Sequence, residues 1–340
     1  MIRFPVADAG AKRILNSALE LMRSKILFAG IALELFSQLE DFRTHSEVAE
    51  KLNLHHDNTR YLLDALTAMD FLEKSKGLYK NTALSSKYLV RSSELYIGSY
   101  VMMYNSVSGI DSIDIGKCVK EGPERGNEGK KGLEAHSVYG DYTQMIKIGQ
   151  KAGRASEISD IVASLPEFSD FKKMLDLGGG PGLIGMATVL KHPVMKGVIF
   201  DVPAVIEVAK ESIKEYGLDD RMEVLAGDYL SDPIGGGYDF ILASATLNVA
   251  KHDLDKMIKK LYRALAGDGV FMCISAGFTH ERTRPQDMVI GWLPSFLQGL
   301  DFSLEQGEIS AAALRNGFKS VHKQTVNTLM GELDIDVARK

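Results

Sequence analysis

Cysteine is nearly absent. Cys118 and Cys273 are the only two in 340 residues, too few for a disulfide framework or a cysteine-rich metal site, and this usage leads us to expect a reducing, cytoplasmic setting. The eight histidines show no paired spacing with carboxylates of the kind a closed metal site needs, so no metal is expected. No charge sign prevails either. Forty basic residues stand against 45 acidic ones, a net charge of −5, which gives no global attraction to nucleic acid or an anionic membrane. Long apolar runs are missing: LFAGIALELF is cut by Glu34, short of the roughly 18 residues of a membrane span. The opening MIRFPVADAGAKRIL lacks the basic-then-apolar layout of a secretory signal, and no repeat recurs at a period of about 20–50 residues. What remains is ordinary globular usage, 45% apolar and 25% charged, in a chain long enough for two domains.

Residues 11–40 place apolar side chains at helical spacing (Ile14, Leu15, Ala18, Leu19, Met22, then Ile26, Leu27, Ile31, Leu35) and predict two amphipathic helices. Thr44 or Ser46 can cap a short helix through Leu52, and Asp57 or Asn58 a second through Met69. Leu72–Lys74 and Leu78–Lys80 read as the arms of a hairpin turning at Lys76-Gly77. Helix, turn, helix, hairpin is a winged-helix outline. Reading DNA would require a basic recognition helix, yet residues 57–70 offer Arg60 against Asp57, Asp64 and Asp70. Over residues 1–100 there are 13 basic and 12 acidic residues, without the clustered cations that displace counterions from phosphate. Dimerisation and covering a substrate pocket are the expected roles of this domain.

Residues 117–134 are charged and glycine-rich and read as an exposed loop, and a helix is expected from about Tyr139 to Ala163. Beyond Phe171, short apolar runs (MLDL, GVIFDV, MEVLAG, YDFILAS, GVFMCIS) alternate with helical segments, the pattern of a parallel sheet covered on both faces.

The first of those runs ends in DLGGGPG, where Gly178, Gly179, Gly180 and Gly182 separate a strand from a helix. Glycine permits a tight turn and a close approach of backbone to ligand. A phosphate-binding loop of the Gly-Lys-Ser/Thr kind is excluded, because Gly182 is followed by Leu183-Ile184. Asp201 closes the next apolar run about 20 residues on, where a carboxylate can accept from both hydroxyls of a ribose. Asp228 follows the third run, with Tyr229 beside it. A dinucleotide and S-adenosylmethionine both fit loop and acids; together these features favour a nucleoside ligand.

DLGGGPG, FDVP and GDYL, in that order behind a winged-helix outline, resemble the class I S-adenosylmethionine-dependent methyltransferases of the O-methyltransferase group, over nearly the whole chain. The resemblance implies an α/β fold, a Rossmann-like doubly wound sheet with an N-terminal α-helical winged-helix domain. It divides the chain into a dimerisation domain (1–110), a linker loop and helix forming part of the pocket (111–165) and a catalytic domain (166–340). It implies a homodimer, S-adenosylmethionine as cofactor and a small or mid-sized apolar acceptor. Gly178 and Gly180 then lie by the cofactor, Gly178 at its methionine part, while Asp201 binds the ribose and Asp228 with Tyr229 lines the adenine site. Ser244 falls near a lysine often found after the fourth strand in the family.

Members that methylate phenols commonly carry a His-Asp-Trp run whose histidine removes the hydroxyl proton. Here the matching segment reads ASATLNVAKHDLDK, and the histidine position falls on Asn248 or Leu247, neither of which is a base. His252-Asp253 keeps a His-Asp pair about one helical turn later. Asn248 and His252 are thus the catalytic candidates. A phenol of pKa about 10 needs its proton removed, whereas a thiol at about 8.5 or an activated carbon demands less. The missing histidine points to a C- or S-acceptor, a hydroxyl activated by another residue, or no catalysis. Thr246-Leu247-Asn248 is compatible with the members that methylate a tetrapyrrole carbon. For the acceptor pocket, Tyr139, Tyr142 and Met145 come from the helix before the sheet, and Met288, Trp292 and Phe296 from the segment after the fifth strand; His136, Arg154 and His280 could add a polar group. The competing readings are a non-catalytic S-adenosylmethionine-binding or winged-helix regulatory protein and, third, a nicotinamide oxidoreductase.

Overall fold

In the computed structural model, which describes residues 8–106, 113–123, 139–328 and 331–340, the chain divides into two units, residues 1–106 and 107–340. The first opens with a single helix, α1 (Ala9–Ala32), capped by Asp8, whose side chain accepts from the Gly10 N–H at 2.8 Å. Two helices were expected over residues 11–40. Instead Glu34 takes a left-handed φ of 54° and turns the chain into a short 3-10 turn, Phe36–Gln38, which drives Leu35, Phe36 and Leu39 into the core. On α1 itself only Gly30 and Ile31 are buried, and Ile14, Leu15, Leu19, Leu21 and Met22 are all more than half exposed.

Strand β1 (Arg43–Thr44) leads into α2 (His45–Leu52) through a capping box: Thr44 Oγ1 accepts from the Glu47 N–H and Glu47 Oε2 accepts from the Thr44 N–H at 2.7 Å. Helix α3 (His56–Ala68) starts earlier than expected. Its cap is His55, whose Nδ1 accepts from the Asn58 N–H at 3.4 Å, so neither Asp57 nor Asn58 is the cap. An imidazole nitrogen can fill a role that residue preference assigns to Ser, Thr, Asp or Asn. β2 (Leu72–Ser75) and β3 (Leu78–Asn81) pair antiparallel across Lys76 and Gly77, both left-handed, and β1 adds to the other edge of β3. Val48, Leu63, Leu66, Leu72 and Tyr79 fill the space between. α4 (Ala83–Tyr88) and α5 (Gly98–Ser106) complete the unit.

The second unit begins with α6 (Ile115–Glu121), capped by Asp114, so residues 117–121 of the expected loop are helical; residues 124–134 lie outside the described residues. The helix expected from Tyr139 to Ala163 is broken. α7 (Tyr139–Gly149) and α8 (Ala155–Ala163) are joined by a π-turn, Gln150–Arg154, in which Gly153 has φ 138°. After them, strands and helices alternate: β4 (Lys173–Leu177), α9 (Leu183–Leu190), β5 (Lys196–Asp201), α10 (Pro203–Glu215), β6 (Met222–Ala226), β7 (Tyr238–Ser244), α11 (Leu254–Ala264) and β8 (Leu265–Ser275). A short parallel pair, β9 (Gly277–Phe278) with β10 (Leu304–Glu305), brackets α12 (Gln286–Leu297); then come α13 (Glu308–Arg315), β11 (Ser320–Thr328) and β12 (Gly331–Arg339).

The sheet runs β11-β12-β8-β7-β4-β5-β6, parallel from β8 to β6, with β12 antiparallel to both neighbours. Alternate side chains along each strand go to opposite faces. Leu175, Leu177, Ile241, Ala243 and Phe271 meet α11 and α13, while Met174, Phe240, Leu242, Met272 and Ile274 meet α8, α9 and α10. The sheet is therefore covered on both faces, as the alternation of apolar runs and helices predicts.

One acid breaks the apolar pattern of β4. Asp176 is buried, and its Oδ2 accepts from the Gly185 N–H at 3.0 Å. A Cβ on Gly179 or Gly185 would approach that oxygen within 2.7 Å and 2.6 Å, so both glycines make room for the carboxyl that ties the β4–α9 turn together. Burial pushes the Asp176 pKa up to about 7; the Gly185 N–H opposes the rise and the nearby Asp201 adds to it. Between pH 4 and 7 the folded chain thus keeps a proton that the unfolded chain has released, and stability falls as pH rises through that window. At 1.36 kcal/mol per unit the full effect is bounded at about 4 kcal/mol. Asp176→Asn is expected to lose less thermal stability than the parent between pH 5 and 8. Melting curves whose separation stays constant across that range would refute this.

Candidate active site

The order of the sheet reverses between β4 and β7, because the chain proceeds from β4 outward to β5 and β6 and from β7 outward to β8. In open parallel sheets, ligands bind outside the carboxyl ends of the strands at such a point. The turn from β4 into α9 lies there, with Gly178 and Gly180 both at φ 61°. At Gly178 a Cβ would fall 2.1 Å from Thr246 Oγ1, so only glycine lets the end of β4 pass the segment that leaves β7. At Gly180 a Cβ would meet nothing within 4 Å; this side of the turn is open.

Asp201 ends β5. Its Oδ2 accepts from the Gly180 N–H at 2.8 Å and its Oδ1 from the Val202 N–H at 2.7 Å. Burial raises its pKa and these two N–H groups hold it down. Each oxygen keeps a further lone pair, enough for a vicinal diol. The cradle fits a nucleoside: a glycine turn with an open side, and a carboxylate anchored to that turn.

Asp228 and Tyr229, just past β6, have different surroundings. Asp228 is exposed; its Oδ1 accepts from the Leu230 N–H at 2.8 Å and its own N–H donates to Asp232 Oδ2 at 2.9 Å. Tyr229 is buried, edge-on to Phe200 at 6.5 Å between ring centroids. Its hydroxyl lies 2.8 Å from the Thr246 carbonyl oxygen and 2.7 Å from Thr246 Oγ1, and burial pushes its pKa well up. Tyr229 thus joins the turn after β6 to Thr246, and through Thr246 to Gly178. Ser244, at the end of β7, has a buried hydroxyl that meets no partner among the described residues.

Sequence reasoning missed Thr246 as a structural partner of the glycine turn, since nothing local marks a threonine as the neighbour of a glycine 68 positions earlier. It also missed Gln150, buried in the π-turn, whose Oε1 accepts from the Leu183 N–H at 3.2 Å and so satisfies the start of α9.

The catalytic candidates do not converge. Asn248 lies in the 3-10 turn Leu247–Asp253, where its Nδ2 donates to the Phe302 carbonyl at 3.0 Å. His252 is exposed and lines a cleft of about 350 Å³ with Glu308 and Arg315, between the start of α11 and α13. No residue of the glycine turn lines that cleft.

Of the acceptor candidates, Met288 on α12 is half-buried and packs against the core beneath α8 and α9. Trp292, also half-buried, stands 6.1 Å from Phe296, and Phe296 stands 6.0 Å from Phe278. The Arg282 guanidinium lies over Phe278 and Phe296 while bonding Ser303 Oγ at 2.6 Å and Glu305 Oε1 at 2.9 Å. Tyr142 and Met145 sit on α7, which Lys147 ties to Glu215 of α10 at 2.7 Å. Arg154 closes the π-turn, and His280, at φ 51°, has its Nδ1 2.9 Å from Thr279 Oγ1. His136 and the Tyr139 side chain lie outside the described residues.

Among the described residues no three His, Cys, Asp or Glu side chains group as a metal site, and no helix is long and apolar enough to cross a membrane. Residues 132–298 match the model of the O-methyltransferase domain and residues 15–91 that of the O-methyltransferase dimerisation domain. The chain is 25% identical to the N,N-dimethyltransferase OxyT of Streptomyces rimosus over 96% of both proteins. It is 26% identical to the 3-hydroxy-5-methyl-1-naphthoate 3-O-methyltransferase of Streptomyces sahachiroi over 79% of this chain and 78% of that one. The crystal structure of human N-acetylserotonin methyltransferase in complex with SAM shares the fold at a TM-score of 0.82, with 20% identity and 99% of each chain covered. The chain therefore belongs to the O-methyltransferase family, S-adenosylmethionine-dependent methyltransferases with a dimerisation domain ahead of the catalytic one.

Proposed function

We propose that this methyltransferase acts on a small or mid-sized apolar acceptor through an atom that needs no side-chain base at position 248: a nitrogen, a sulfur or an activated carbon. The carrying observation is the Asn248 amide, which is neutral and held by the Phe302 carbonyl. The dimethyltransferase relative, named for nitrogen, agrees with such an acceptor, whereas the naphthoate relative is named for oxygen.

When bound, S-adenosylmethionine supplies a methyl group made electrophilic by its sulfonium. The protein's part is then to align the reacting atoms and exclude water. In our reading Asp201 holds the ribose hydroxyls, and the open side of Gly180 admits the chain that leaves the ribose. Asp228 and the turn it shares with Tyr229 flank the adenine. The orphaned Ser244 hydroxyl faces the cofactor and gains its missing partner there. Met288 and Trp292 on α12, with Tyr142 and Met145 on α7, wall the acceptor. The helix pair and hairpin of the first unit support a winged-helix outline used for homodimerisation, with the bare apolar stripe of α1 as part of the contact. The reduced cysteines suit a cytoplasmic enzyme.

Asp201→Ala removes two charge-assisted acceptors and is expected to weaken calorimetric binding of S-adenosylhomocysteine by about tenfold or more; near-parental affinity would count against this site. His252→Ala is expected to leave most activity intact, and a loss above about a hundredfold would restore it as a base. Turnover of labelled S-adenosylmethionine over a panel of amines, thiols, activated carbons and phenols tests the acceptor class, and phenols as the dominant substrates would overturn it.

A further inference from the structure

We propose that Lys260 is a positioning residue for the nucleoside end of the cofactor site, acting through the main chain of residues 228–232. The inference rests on the reading that this turn flanks the adenosine.

Helix α11 is strongly two-faced. Leu254, Met257, Ile258, Leu261 and Ala264 are buried in the core, while Lys256, Lys259 and Arg263 are exposed. Lys260 belongs to neither group. It is half-buried, and its stem borders a groove of about 670 Å³ between α11 and residues 230–235. Its Nζ donates to the Tyr229 carbonyl at 2.7 Å and also to the Asp232 carbonyl. Among the described residues no backbone N–H donates to either oxygen, so the ammonium satisfies both ends of the turn.

The turn's inner bonds act on the same few residues. The Asp228 N–H donates to Asp232 Oδ2, the Leu230 N–H to Asp228 Oδ1, and the Asp232 N–H to the Asp228 carbonyl at 2.7 Å. Tyr229 is therefore held at both ends, by Lys260 at its carbonyl and by Thr246 at its hydroxyl. Thr246 in turn occupies the space that a side chain at Gly178 would fill. Lys260 touches neither the glycine turn nor Asp201, yet it fixes the main chain that presents Asp228 and seats Tyr229. Burying a lysine stem and ordering its ammonium is costly in solvation and entropy; two carbonyl bonds to one turn are what hold it there rather than in water.

The test compares Lys260→Met, Lys260→Gln, Lys260→Arg and Lys259→Met in the full chain. Lys259→Met removes the same charge from the neighbouring, exposed position. Binding of S-adenosylhomocysteine and of 5′-methylthioadenosine, which carries the nucleoside without the amino acid, is read by calorimetry. Lys260→Met is expected to weaken both about tenfold and to raise KM for S-adenosylmethionine by a similar factor, with kcat within about twofold of the parent. Lys260→Arg, which can still reach two carbonyls, is expected to restore affinity to within about threefold, and Lys259→Met to bind as the parent does. If the methionine variant does not fold, the glutamine variant, which can reach one carbonyl, is expected to show about a threefold loss. Parental affinity in the folded methionine or glutamine variant, an equal loss in Lys259→Met, or a fall in kcat at unchanged KM would each overturn the proposal. Failure of the parent itself to bind either ligand would instead overturn the assignment of the cofactor site.

Discussion

The contact between Gly178 and Thr246 is the constraint on which the site depends. The chain leaves β4 and β7 at the same end of the sheet, and the two exits come so close that one must lack a side chain. That closeness opens the β4–α9 turn on the Gly180 side, brings the Gly180 N–H onto the Asp201 carboxylate, and gives Thr246 to the Tyr229 hydroxyl. Four strand ends, of β4, β5, β6 and β7, are thereby linked through the glycine turn. Because backbone N–H groups and neutral hydroxyls make most of these links, the geometry is present before any ligand binds, and binding need not pay to organise it.

Around α12 the bonds are of another kind. Residues 301–303 are tied to the 3-10 turn by Asn248 and by the Lys251–Asp301 ion pair at 3.0 Å, and to Arg282 through Asp301 and Ser303. The bonds of Ser303 and Lys251 hold the Asp301 carboxyl far below the usual carboxylate range, against the effect of burial. Arg282 in turn lies over Phe278 and Phe296. The 3-10 turn Leu247–Asp253 is thus a brace for the segments that flank α12. A neutral amide can serve as that brace because its partner is a carbonyl.

How much could be read in advance depends on whether the signal is local. The five parallel strands announce themselves through short apolar runs, and DLGGGPG through its glycines. Thr44, one of the two caps that the sequence left open, closes its capping box with Glu47 inside a single turn, and Lys76-Gly77 gives a hairpin turn. Where the signal was tertiary, the reading failed. Glu34 in a left-handed conformation ended α1 without a Gly or Pro to mark it, and Gly153 broke a helix whose apolar spacing continued through it. β12 was not foreseen because Asp334 and Asp336 interrupt its apolar run. Both are buried, Asp334 accepting from Gln306 and Thr325 and Asp336 from Ser310. In the candidate site the acids at strand ends were visible as sequence spacing, whereas Thr246, Gln150 and Lys260 matter through partners 17 to 33 positions away.

Helix α1 spans 24 residues, yet its own chain buries only Gly30 and Ile31 of it. An isolated helix of this length gains little in water without a surface to cover its apolar side. Where the stripe is the dimer contact proposed above, its order is a property of the solution as well as of the polypeptide: association of like chains stabilises it by mass action, and dilution withdraws that support. The temperature at which the N-terminal segment frays thus rises with the amount of protein in the tube, while that of the sheet, whose core is self-contained, does not.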